Sequence, residues 1–327
     1  MSFAPYIKEI GRGHNGSRDL PEEEAYHLFS AMLDGGIPEL ELGAILLSMR
    51  IKTESLSELL GFYRATSERI YSLTPPSGGV RPVVIPTYNG ARHQPNLTAL
   101  LAMFLQRLKI PVLLHGSLEG NGRVATAYIL RELGIMPSAT ISQAQQALEQ
   151  ERFAFVPTQV LSPGLATLLN LRGRLGVRNS AHTIVKLIDP FKGEGMCLVS
   201  VSHPDYLKKI SEFMLVVGMT GLLLRSTEGE AFANPKRRPQ IAYFENGEEK
   251  VLFEAEAGPI KSVAGLPTDM TVGGTARWIR QALQGEVHMP MPLVNQLACC
   301  LYASGYTQDM NQAKAIAAVQ SGSLAAA

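Results

Sequence analysis

Across residues 1–70 the apolar positions recur with helical spacing. Ala25, Leu28, Phe29 and Met32 fall on one face behind Pro21 and the acids Glu22, Glu23 and Glu24, an arrangement that starts a helix, and Gly35 ends it. Pro38 opens a second helix through Leu40, Ile45, Leu46 and Met49. Thr53 is positioned to cap a third, which runs through Leu56, Leu60 and Phe62 to Ile70. The pattern predicts a helical bundle domain over residues 1–74. Its apolar stripes are wide enough to be covered on two sides, which predicts a subunit contact as well as a core.

Ser72 to Gly79, with Pro75-Pro76 and Gly78-Gly79, reads as a linker. Beyond it the pattern changes to strands alternating with helices. Strands are predicted at 82–86, 111–115, 153–157, 195–201 and 219–225. Helices are predicted near 96–108, 123–133, 142–150, 203–217 and 271–284, with two more near 291–304 and 308–320. Such alternation implies a mainly parallel sheet with helices on its faces, so residues 80–327 read as one large α/β domain. A helical pair around 162–188 interrupts it and is expected to join the N-terminal bundle. Asn246-Gly247, between Ile241–Glu245 and Lys250–Glu254, is a hairpin turn. Ser321 to Ala327 reads as a frayed tail.

Composition narrows the class. With 46% hydrophobic and 18% charged residues the chain can bury a core and is not disordered. No 18-residue apolar run would span a membrane. Met1 to Arg12 has no apolar signal core, and Cys197, Cys299 and Cys300 form neither a CxxC pair nor a disulfide framework, so a reduced cytoplasmic protein is expected. Net charge is only +1, yet residues 71–240 hold 18 Lys and Arg against 10 Asp and Glu, between acidic ends. A basic middle points to a large anionic ligand.

The candidate chemistry starts at Val83-Val84-Ile85-Pro86-Thr87-Tyr88-Asn89-Gly90, which continues to Asn96-Leu97-Thr98. This reads as strand, turn, then helix, the place where α/β proteins hold phosphate on free N–H groups. Phosphate loops usually need several glycines for close backbone approach, and Gly90 is alone here. Cations recur later: Arg172, Arg174 and Arg178 on or beside one helix, then Lys186; Lys208-Lys209 on the next helix; and Lys236-Arg237-Arg238 between Pro235 and Pro239. The flanking prolines hold that triplet at a loop tip.

The helical N-domain, the strand–turn–helix, a second strand ending in His115-Gly116 and the arginine-rich helix together resemble anthranilate phosphoribosyltransferase over nearly the whole chain. The family's Gly-Thr-Gly-Gly-Asp loop is replaced by Pro86-Thr87-Tyr88-Asn89-Gly90. Its Asn-x-Ser-Thr segment matches Asn96-Leu97-Thr98, and its Lys-His-Gly-Asn turn matches Leu114-His115-Gly116-Ser117. Its anthranilate-site arginine and following helix resemble Arg172 and Arg178-Asn179-Ser180-Ala181-His182. The Asn-Pro that follows is Asp189-Pro190. Its magnesium-holding Asp-Glu falls at Thr227-Glu228-Gly229-Glu230, split by a glycine. The resemblance is strongest to the family's paralogous YbiB-type branch, through Gly176 to Thr183, Ser200 to Pro204, and Ala233-Asn234-Pro235.

That branch implies the phosphoribosyltransferase fold, a homodimer through the helical domain, and binding of single- or double-stranded nucleic acid without sequence preference. The residues expected to meet phosphates are Arg172, Arg174, Arg178, Lys186, Lys208, Lys209, Lys236, Arg237 and Arg238, and no cofactor is required. The substituted loop implies a degenerate phosphoribosyl-pyrophosphate site. The rival implied by the same resemblance is a transferase with an unidentified acceptor. There Thr87, Asn89, Gly90, Asn96, Thr98, His115 and Gly116 hold ribose phosphates, Arg172 or Arg178 holds the acceptor, and Glu228 and Glu230 hold Mg2+.

Overall fold

A computed structural model describes residues 2–13, 16–226, 228–258 and 265–322. The chain divides into two compact units, Met1–Ser72 with Thr158–Pro190, and Leu73–Pro157 with Phe191–Ala327.

The first unit is helical. It begins with α1 (Ala4–Ile10), α2 (Glu22–Leu33), α3 (Glu39–Lys52) and α4 (Leu56–Ser67). The acids after Pro21 occupy the first turn of α2, as the pattern required. Thr53 is not the cap of α4; it has a left-handed φ of 65°. Ser55 caps that helix instead, in a capping box with Glu58, because a serine three residues before a glutamate satisfies two backbone N–H groups at once. Glu58 is fully buried and also takes the Leu20 N–H at 3.0 Å and Lys52 Nζ at 2.7 Å. Phe29 and Phe62 stack at 4.4 Å where α2 meets α4. Along α3, Leu40, Leu47 and Ile51 share one face and are exposed.

The second unit opens with β1 (Val83–Thr87), α5 (Thr98–Arg107), β2 (Val112–Gly116), α6 (Thr126–Glu132), α7 (Ile141–Glu151) and β3 (Phe153–Pro157). The chain then returns to the first unit as short helices α8 (Thr158–Leu161), α9 (Pro163–Asn170), α10 (Arg172–Leu175) and α11 (Ala181–Ile184). These are shorter than the helical pair expected there, since Gly176 in a left-handed turn ends α10. The second unit resumes with β4 (Met196–Val201), α12 (Pro204–Val217), β5 (Gly221–Arg225), β6 (Ile241–Glu245), β7 (Glu248–Phe253), α13 (Val272–Gln284), α14 (Met291–Ala303) and α15 (Met310–Gln320).

Its strands form one sheet in the order β3-β2-β1-β4-β5-β6-β7. The first five run parallel and β6 and β7 antiparallel, joined by the Asn246-Gly247 turn, with φ of 53° and 75°. Strands β1 to β4 are buried on both faces, as parallel strands under helices must be, whereas β7 is an exposed edge. The connection order reverses between β1 and β4. Their pairing covers only Val83 with Met196 and Val84 with Cys197, so the strands part toward their carboxyl ends. That is the crevice where such sheets hold ligands. No helix among the described residues is long and apolar enough to cross a membrane.

Candidate functional site

The turn leaving β1 lies in this crevice, and what fills it comes from the chain itself. Glu230 is fully buried. One of its oxygens accepts the N–H groups of Asn89 at 2.9 Å and Gly90 at 2.7 Å. The other accepts from the hydroxyls of Thr87 at 2.6 Å, Thr98 at 3.2 Å and Thr126 at 3.4 Å. A planar anion with two oxygens thus takes the backbone and hydroxyl donors that a phosphate would need. Gly90 has φ of 69°, and a Cβ there would stand 3.0 Å from the Val124 carbonyl, so only glycine fits. Tyr88 and Asn89, the bulky substitutions in the turn, are buried.

Asn96 locks the turn's far end. Its amide donates to Val124 O at 3.1 Å and Thr126 Oγ1 at 3.0 Å, while its carbonyl accepts the Thr98 N–H at 3.2 Å. The helix begins at Thr98, two residues after the position expected.

Glu228 makes a second carboxylate contact with the same turn. It accepts the N–H groups of Arg92 and His93 at 3.0 and 2.8 Å and pairs with Arg123 at 2.9 Å. Its own backbone has φ of 64° and Gly229 has 84°, a left-handed pair that sends both acids toward the turn. The expected magnesium pair does not fit a metal here. Both carboxylates face N–H, O–H or guanidinium donors, and a cation cannot share those lone pairs. Among the described residues no group of three potential metal ligands exists. Thr227 lies outside the described residues.

His115 ends β2, fully buried, and neither ring nitrogen has a partner among the described residues. Burial pushes its pKa down to about 3, so the ring is neutral. Gly116 follows because any side chain there would collide with the Thr87 carbonyl.

The predicted cations fall into two groups. Arg172, Arg174, Arg178 and Lys186 belong to the first unit. Arg174 is exposed and doubly bonded to Glu39, at 2.9 and 3.1 Å. Lys186 is buried, and the loss of solvation, aided by the Arg178 charge, lowers its pKa to about 8 against the pull of Glu54. It is not presented to solvent as a phosphate contact would need to be. Arg172 and Arg178 are half-buried. His182 is buried, and desolvation with the Arg178 and Arg172 charges lowers its pKa to about 3.

Lys208, Lys209, Lys236, Arg237 and Arg238 belong to the second unit. Lys209 packs over the Tyr206 ring at 5.4 Å. Lys236 and Arg237 are exposed, while Arg238 is held by Glu256. Lys208, Arg237 and Arg238 line a cleft of about 900 Å³, joined there by Arg225 from the end of β5. Sequence reading misses Arg225 because a charge closing an apolar strand reads as punctuation. It also misses Arg123 and Thr126, whose only signal is the Gly120–Gly122 turn before α6.

Family models match in two segments: the helical bundle domain of a glycosyl transferase family over residues 4–69, and the a/b domain of a glycosyl transferase family over residues 90–325. A protein of Escherichia coli K12, described as "Uncharacterized protein YbiB", is 44% identical over 93% of this chain and 95% of its own. Anthranilate phosphoribosyltransferase of Desulfitobacterium hafniense Y51 is 26% identical over 62% of this chain and 59% of its own. The crystal structure of anthranilate phosphoribosyltransferase from Thermus thermophilus superposes with a TM-score of 0.78 at 21% identity, covering 97% of this chain and 94% of that one.

Proposed function

This chain belongs to the glycosyl transferase family of helical-bundle and a/b domains, and from that premise we propose that it binds nucleic acid through phosphates, as a homodimer, without catalysing transfer. The carrying observation is that cations from three separate segments, Lys208, Arg225 and Arg237 with Arg238, converge on one open cleft of the second unit. Among the described residues the Arg237 side chain has no partner and the Arg225 side chain bonds only the Ser202 carbonyl, at 3.3 Å. Their charge is available to an anion. Phosphate contacts from such side chains supply sequence-independent affinity.

The internal saturation of the β1 turn supports the same reading. A phosphoribosyl donor would have to displace the Glu230 carboxylate from five donors. Pyrophosphate departure needs free N–H groups or a metal to stabilise growing charge. Here the N–H groups are taken and the acids are committed. Binding therefore needs no cofactor, and the protein is cytoplasmic in this reading. The exposed Leu40, Leu47 and Ile51 face of α3 supports the homodimer, since an apolar strip of that kind is normally covered.

Anisotropy titration of a labelled single strand at several salt concentrations tests the proposal. Saturable binding that weakens linearly in log–log form with salt is expected. Absence of binding at low salt removes the reading.

A further inference from the structure

The cleft between α12 and the β5–β6 edge has the size of a single ligand, not of a track. Its volume of about 900 Å³ lies in the range of small-molecule pockets. Leu207, Leu223, Ala242 and Pro239 supply an apolar wall, and the cations stand around it. Of the wall's acids, Glu228 is paired with Arg123 and Glu256 with Arg238, while Glu249 accepts the Ser211 hydroxyl at 2.8 Å, a neutral donor that does not offset a carboxylate. Lys208 is only loosely held, 3.9 Å from Glu212. The lining holds four cations, Lys208, Arg225, Arg237 and Arg238, against three acids, Glu228, Glu249 and Glu256, so its net charge is positive.

Two of the cleft's cations are held in place. Arg238 is fixed in position, since its side chain pairs with Glu256 and its carbonyl accepts the Glu256 N–H at 3.1 Å. Arg237 is set by the turn in which its N–H bonds the Asn234 carbonyl at 3.1 Å.

We propose that this cleft is a binding site for one nucleoside monophosphate unit, its phosphate taken by Arg225, Arg237 and Lys208 and its base laid against Leu223 and Ala242. The proposal rests on the nucleic-acid reading and narrows it, from a charged surface to a pocket that receives one nucleotide. The same chemistry is offered by a free mononucleotide and by the terminus of a strand.

Calorimetric titration of the full chain with AMP, with adenosine as control, is the test. AMP should bind saturably and adenosine at least about tenfold more weakly, the usual weight of one charge-assisted contact. The double variant Arg225→Ala/Arg237→Ala should lose at least about tenfold for AMP while keeping its melting temperature, because both side chains are exposed. Displacement of a labelled single strand by AMP identifies the terminus as the natural occupant; AMP binding without displacement identifies free nucleotide. No saturable AMP binding, or equal binding by the double variant, overturns the proposal. If the strand still binds in that same preparation, the nucleic-acid reading survives alone; if neither binds, both fall.

Discussion

The carboxylate of Glu230 lies 2.7 Å from the backbone nitrogen of Gly90, across 140 positions of sequence. The turn that faces this oxygen spends the N–H groups of Asn89 and Gly90 on the chain's own carboxylate.

Replacing Glu230 with alanine removes the shared acceptor of two backbone N–H groups and three hydroxyls in a buried space. A loss of about 3 to 5 kcal/mol is expected from the cavity and the unmet donors together. Inorganic phosphate should raise the melting temperature of Glu230→Ala more than that of the native chain. Equal shifts in the two proteins would mean that the turn does not recognise phosphate. Glu230→Gln should cost less, since its amide can still bond the hydroxyls.

Phosphoribosyl pyrophosphate with magnesium should bind the native chain weakly or not at all. Calorimetry decides this, and a low-micromolar dissociation constant would restore the transferase.

Nucleic-acid affinity should fall with salt at a log–log slope of about −4 to −7, for a dimer engaging about six to eight phosphates. Lys236→Ala with Arg237→Ala should flatten the slope and weaken all sequences alike, because phosphates carry no base information. Arg238→Ala should in addition loosen the segment held by Glu256. A slope unchanged in the double variant would assign these charges to plain surface.

Sedimentation should show a particle of about twice 35.5 kDa. Leu47→Glu places a charge in the middle of the exposed α3 strip and should yield monomer with little change in folding, since Leu47 is 48% exposed. A native monomer at micromolar concentration would count against the dimer.

His115 and His182 each have a folded pKa of about 3 against an ordinary value of 6.5. Between those values the unfolded chain binds more protons than the folded one. Stability is therefore full above about pH 6.5 and falls as pH drops toward 3, by about 2 kcal/mol per histidine at pH 5. His115→Leu removes one such group and two orphaned nitrogens. It should gain about 1 kcal/mol of stability at pH 7 and lose less on moving to pH 5. Destabilisation of more than about 2 kcal/mol at pH 7 would show that the ring has a partner.

Where the local pattern carries the information, the fold is legible in sequence. Val83–Thr87, Val112–Gly116 and Met196–Val201 are apolar runs bounded by turn residues, and Asn246-Gly247 can only be a tight turn. The cap of α4 is ambiguous to a local reading because Thr53 and Ser55 are both capping residues; Glu58, three residues after Ser55, decides between them. The strand–turn–helix that opens the second unit is legible as well, since a strand, one glycine and a helix follow in order. Its occupant is not. Glu230 reads locally as a loop acid beside another glutamate, and no periodicity links it to Gly90. The cationic cleft is half legible: Lys208, Arg237 and Arg238 stand out as charge runs, whereas Arg225 ends a strand and Ser226 carries no local signal.

The turn after β1 also changes what the protein's stability depends on. A loop completed by a diffusible anion is stabilised in proportion to the logarithm of that anion's concentration, so such a fold tightens and loosens with supply. Here the anion is attached through the backbone, and its effective concentration is fixed by the left-handed Glu228-Gly229 turn. The turn is therefore completed at any concentration of dissolved phosphate.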